Sequence, residues 1–111
     1  MLTRLTRRRE FVAAAKQGRR AARDGLVLQA LRHEGQAETR LGFTATKKIG
    51  NAVARNRAKR RLREVARLGL AASPPAGWDL VLIARDTTGA MPFDRLRREL
   101  DAALRKAGVR P

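Results

Sequence analysis

At 111 residues the chain has room for one hydrophobic core and not two, so residues 1–111 are read as a single domain. Twenty-six Lys and Arg against ten Asp and Glu leave a formal charge of +16. That excess points to a polyanionic partner, nucleic acid ahead of a membrane surface, because the sequence holds no long apolar span and no lipidation signal. The absence of cysteine excludes a disulfide framework and a thiolate zinc site, and fits a reducing, cytoplasmic setting. No apolar run follows the basic N-terminus MLTRLTRRREF, so no secretory signal is expected.

In chain order, a first helix is predicted from Arg8 to Gln17, stopped at Gly18, with Phe11, Ala14 and Ala15 on one side. Arg7, Arg8 and Arg9 stand where a helix N-terminus favours acids. RRAAR (Arg19 to Arg23) adds a short edge strand. Gly25 to His33 reads as a strand, with Leu26, Leu28 and Ala30 on one face and Val27, Gln29 and Leu31 on the other. After a polar turn, Arg40 to Ile49 reads as a second alternating strand. Leu41, Phe43 and Ala45 line its core face. Gly42, Thr44 and Thr46 line the other face, where short side chains leave room for an approaching group. Lys47 and Lys48, adjacent in that strand, are expected to point to opposite faces.

Asn51 is the predicted N-cap of a long helix that runs to Leu68 and ends near Gly69. Ser73 to Gly77 (SPPAG) is a turn that no helix crosses. Trp78 to Ala84 is apolar on both faces, the pattern of a central strand. A loop leads to Pro92, suited to the first helical position. The last helix places Phe93, Leu96, Leu100, Ala103, Leu104 and Ala107 on one face. The expected fold is an α/β (α+β) two-layer sandwich in the order α-β-β-β-α-β-α.

The chemistry concentrates in Lys47 to Glu64, KKIGNAVARNRAKRRLRE, where eight basic residues stand against one acid. On a helix, Ala54, Ala58, Leu62, Val65, Ala66 and Leu68 share the side that docks on the sheet. Asn56, Arg57, Lys59, Arg60, Arg63 and Arg67 share the opposite side, with Arg55 at the border. Arg61 falls on the apolar side and is expected to snorkel outward. Like charges at this spacing repel in an isolated helix. Intervening phosphates remove the repulsion, and the planar fork of Arg donates two hydrogen bonds to one phosphate. Asn56 adds a neutral donor and acceptor for a sugar hydroxyl or a base edge.

The same segment resembles the signature of the protein subunit of bacterial ribonuclease P, built around Arg55-Asn56-Arg57. Glu10-Phe11, LGFTATKKIGNAV (Leu41 to Val53) and DLVLIAR (Asp79 to Arg85) match further pieces, so the resemblance covers nearly the whole chain. It implies a left-handed βαβ crossover through the basic helix, against the usual right-handed rule. It implies a large catalytic RNA, with this protein as cofactor and Mg²⁺ held mainly by the RNA. No metal site built from protein side chains alone and no catalytic side chain is expected. Lys47, Arg55, Asn56, Arg57, Lys59, Arg60, Arg63 and Arg67 would dock on the RNA subunit. Phe11, Val27, Gln29, Thr44 and Lys48 would line a cleft for the 5′ leader of precursor tRNA. The implied holoenzyme pairs one RNA with one protein. Ala15 and Gln29 stand where an aromatic is expected in other members, which shifts leader binding from stacking toward charge.

Two other readings compete. A self-contained ribonuclease would need more than the single His33, and the sequence shows no paired carboxylates at a useful spacing beside it. A ribosomal or general structural RNA-binding protein fits the composition equally well and differs in leaving precursor tRNA cleavage unchanged.

Overall fold

The computed structural model describes residues 2–111. Its elements are β1 (Leu2–Arg4), α1 (Arg8–Gln17), β2 (Arg19–Ala22), β3 (Leu26–Arg32), β4 (Thr39–Thr44), a 3-10 turn (Lys47–Ile49), α2 (Ala52–Leu70), β5 (Trp78–Ala84) and α3 (Phe93–Lys106). The five strands form one sheet in the order β1-β4-β5-β3-β2. β4 lies parallel to both β1 and β5, and β3 is antiparallel to both β5 and β2. The chain therefore passes from β4 through α2 to its parallel neighbour β5.

Strand alternation sorts the core. Leu28, Leu80 and Leu82 face α2 and α3, where they pack with Leu62, Val65 and Leu70 of α2 and Leu96, Leu100 and Leu104 of α3. Val81 and Ile83 face the other way and meet Leu5, Phe11 and Ala14. The expected two layers are thus α2 and α3 on one face of the sheet, while α1 partly covers the second. Leu62 is fully buried at the centre of the larger cluster. Leu62→Ala is expected to destabilise the fold by about 2–5 kcal/mol. Urea unfolding measures it, and a change within error of zero would place Leu62 outside the packed face.

Several boundaries differ from the sequence reading. The first element is β1, whose three residues are too few to show a period. β4 ends at Thr44, because the chain leaves the sheet in the 3-10 turn and reverses at Gly50, whose φ of 142° suits only glycine. Lys47 and Lys48 therefore share an exposed turn and do not alternate across a strand.

Asn51 caps α2 as expected, its side-chain oxygen accepting from the Ala54 N–H at 2.9 Å. The helix continues through Gly69 to Leu70. A Cβ at Gly69 would stand 3.3 Å from Leu100, so this glycine serves the close approach of α2 and α3 and not a helix end. Leu68 is 37% exposed, since it lies roughly 20° around the helix from Arg61 at the edge of the packed face, and Leu70 takes the buried place. Ala15 is exposed beside the buried Ala14. Pro92 is the cap of α3 and Phe93 its first residue. Among the described residues no helix is long and apolar enough to cross a membrane.

Candidate nucleic-acid interface

Docking α2 through Ala58, Leu62, Val65, Ala66 and Leu70 turns its opposite side to solvent. Asn56, Arg57, Arg60, Arg63 and Arg67 are exposed there, with Lys47 exposed on the preceding turn. Among the described residues, Arg57, Arg60 and Arg63 have no carboxylate within ion-pair distance; Arg67 pairs with Glu64, the helix's one acid. That hydrogen bond holds the Glu64 carboxyl below its ordinary range and raises the Arg67 guanidinium above its own. Arg63 stacks over Phe43 at 5.9 Å, which fixes the stem of a charged group at the border of α2 and the sheet.

Two expected members of this face are placed differently. Arg55 is half-buried and donates to the Gly50 carbonyl at 2.7 Å, bracing the turn that starts α2. Lys59 is half-buried, because its position lies next to the packed side of the helix. Arg61 does not simply snorkel. Its guanidinium donates to the carbonyls of Gly89 (3.2 Å) and Met91 and lies 6.0 Å from the Phe93 ring, while its Nε is buried without a partner. This arginine ties α2 to the loop before α3.

Charge is segregated. On α3 most arginines have a carboxylate beside them: Arg98 pairs with Asp94, Arg105 with Asp101 and Arg95 with Asp24, and Arg110 just beyond the helix also pairs with Asp101. On α2 they do not, apart from Arg67.

The second surface is the α1 side of the sheet. The register places Val27, Ile83 and Thr44 in one cross-strand row and Gln29, Val81 and Gly42 in the next. Phe11 stands over Gly42: a Cβ there would lie 2.5 Å from the Phe11 ring. The room that short side chains leave on β4 is filled at this position by the protein's own aromatic. Phe11, Gln29 and Thr44 are half-buried, and Lys48 is exposed beside Thr46, Arg85 and Asp86. Val27 is only 6% exposed, so it forms the floor of this surface and not a contact upon it.

Between α1 and this floor lies a set of residues that the sequence reading missed. Asp79 is 1% exposed and accepts from Arg40 Nε at 2.8 Å, from Arg40 Nη2 at 2.7 Å and from His33 Nε2 at 2.7 Å. The remaining Arg40 nitrogen, Nη1, donates to Glu10 Oε2. Glu10 Oε1 accepts from the backbone N–H groups of Arg7 (2.8 Å) and Thr6 (3.2 Å). Glu10 is therefore the acid that the arginine-rich start of α1 lacks elsewhere. The Arg7 N–H holds its carboxyl below the ordinary glutamate range; partial burial opposes this, and Thr6 and Arg40 reinforce it. The hydrogen bonds to Asp79 raise Arg40 further above its ordinary value. One signal was available: Asp79 is the only charge in an otherwise apolar strand, and a buried carboxylate requires partners. Among the described residues, no three His, Asp or Glu side chains come together as a metal-ligand set.

A one-sided basic helix on a mixed sheet, with a second half-covered face behind it, defines a small basic RNA-binding domain. Comparison with known proteins makes the class particular. The family profile described as Ribonuclease P matches residues 2–108. The ribonuclease P protein component of Gluconacetobacter diazotrophicus is 51% identical over 107 residues, spanning 96% of this chain and 92% of that one. That of Ruegeria pomeroyi is 52% identical over 104 residues, spanning 92% and 83%. Among solved structures, the Staphylococcus aureus RNase P protein superposes with a TM-score of 0.80 at 29% identity, covering 96% of this chain and 95% of that one. The Thermotoga maritima protein gives 0.76 at 29% identity, covering 93% and 96%. The chain belongs to the ribonuclease P protein family. It is thereby the protein cofactor of a tRNA-processing endoribonuclease, a ribonucleoprotein in which its partner is the ribonuclease P RNA.

Proposed function

We propose that the two faces of this protein divide the work of the holoenzyme. The α2 face docks on the catalytic RNA through Arg57, Arg60, Arg63 and Asn56, with Lys47 and Arg67 at its ends and Arg55 and Lys59 at its border. The α1 side of the sheet receives the 5′ leader of precursor tRNA, with Phe11 offering a stacking surface and Gln29, Thr44 and Lys48 offering polar contacts. Phosphodiester hydrolysis belongs to the RNA subunit and its Mg²⁺, which the RNA holds. The complex is one RNA with one protein, acting in the cytoplasm. The observation that carries this reading is the one-sided face of α2, where Arg57, Arg60 and Arg63 are exposed with no carboxylate within ion-pair distance among the described residues, while Arg98 and Arg105 of α3 each pair with an acid of their own helix.

The test is cleavage of a precursor tRNA by a bacterial ribonuclease P RNA at low Mg²⁺, with and without the protein. Cleavage is expected to rise only when RNA and protein are combined. Arg57→Ala is expected to weaken RNA-subunit binding roughly 10-fold, the scale of one charge-assisted hydrogen bond, with unchanged circular dichroism. A protein that binds this RNA and leaves cleavage unchanged would be a general structural RNA binder instead.

A further inference from the structure

The seat of α1 on the sheet is small. Its apolar part is Ala14 and Phe11 with Leu5, packed on Val81, Leu31 and Ile83. Among the described residues its one side-chain hydrogen bond to the sheet runs from Arg40 to Glu10. Arg40 is in turn held by two hydrogen bonds to the buried Asp79. The consequence for position is direct. Glu10 precedes Phe11 in α1, Arg40 lies two residues before Gly42 on the same face of β4, and the Phe11 ring rests on Gly42. Two adjacent contacts, one ionic and one aromatic, therefore register α1 against β4.

We propose that Arg40 is a positioning residue for the nucleic-acid cleft: by bridging Glu10 and Asp79 it sets where α1 holds Phe11 over the sheet. Arg40 acts through Glu10 and not by touching RNA, since its Nε, Nη1 and Nη2 are all committed within the protein. This inference rests on the leader-cleft reading above.

Charge and position pull apart in the variant Glu10→Gln. The amide keeps an oxygen for the Arg7 and Thr6 N–H groups but loses the ion pair with Arg40. It also removes a negative charge, so electrostatics alone would tighten binding of an anionic leader. The readout is the affinity of the reconstituted holoenzyme for a precursor tRNA divided by its affinity for the same tRNA without a leader. The inference expects this ratio to fall roughly 2- to 30-fold in Glu10→Gln and in Arg40→Gln. The double variant should be no worse than Arg40→Gln alone, because both changes break one link. Affinity for the RNA subunit should stay within about twofold throughout, the scale of an added or lost exposed charge away from the docking face. A ratio above one in the wild type that Glu10→Gln leaves unchanged or raises overturns the inference alone. A wild-type ratio of one overturns the leader-cleft reading and this inference with it. Equal losses in leader and RNA-subunit affinity would make Arg40 a general structural residue and overturn the positioning role.

Discussion

Raising monovalent salt from about 50 to about 200 mM is expected to weaken binding of this protein to ribonuclease P RNA by roughly 10³–10⁵-fold, the loss for some 6–10 phosphate contacts. The source is counterion release: each neutralised phosphate frees condensed cations, and added salt opposes that release. The charge of +16 does not by itself predict so steep a response, because a charge answered by a neighbouring carboxylate releases little. What matters is where the excess lies. Arg98, Arg105 and Arg110 have acids of α3 beside them, whereas Arg57, Arg60 and Arg63 stand unanswered on α2. The slope of log affinity against log salt measures the number of contacts, and Arg57→Ala should reduce it by about one. A slope near zero would remove the electrostatic account of the α2 face.

Asp79→Ala is expected to destabilise the fold by about 3–5 kcal/mol, the range for removing one partner of a buried ion pair. Asp79 is buried beneath α1, and two cationic or hydrogen-bonding side chains converge on its carboxylate. Deleting it leaves the Arg40 guanidinium, itself three-quarters covered, with only Glu10 opposite. Leaving a half-buried charge with fewer partners costs far more than losing an exposed pair such as Arg98 with Asp94, where about 0–1 kcal/mol is typical. Urea unfolding at neutral pH measures the difference. A loss below about 1 kcal/mol would mean that water reaches Arg40 freely and that the network adds little to stability.

What was legible in the sequence is what repeats along it. Alternation located β3 and the body of β4, an apolar run on both faces located β5, helical spacing located three helices and most of their buried faces, and one-sided charge located the α2 surface. β1 escaped because three residues carry no period, and its partner β4 lies far along the chain. The strand drawn to Ile49 was too long for a different reason: TAT continues the alternation, and no local pattern marks where the chain leaves the sheet for the 3-10 turn at Lys47–Ile49. Gly69 was read as a stop when it is a point of helix contact. The network of Glu10, Arg40, Asp79 and His33 has no local pattern at all. Its members come from four elements or their ends, and only the folded sheet brings them together. The resemblance to the ribonuclease P family pointed to the α2 face as a region, but could not tell the exposed Arg57 from the braced Arg55.

The strand order carries a consequence for how the chain assembles. β5 is the last strand in sequence and sits at the middle of the sheet, between β4 and β3. Until Trp78 to Ala84 has left the ribosome, the other strands can form only two separate pairs, β2 with β3 and β1 with β4. Two-stranded pieces of this kind are marginal in water. The pairing of Leu41 with Leu80 spans the whole of α2, so forming it closes a long loop, the kind of contact that slows folding. During synthesis the arginine-rich helix is therefore made before the surface that holds it exists. The same late strand that supplies Asp79 to anchor α1 also supplies Leu80 and Leu82 to anchor α2. The α1 side of the sheet and the seat of α2 therefore both wait for the same strand.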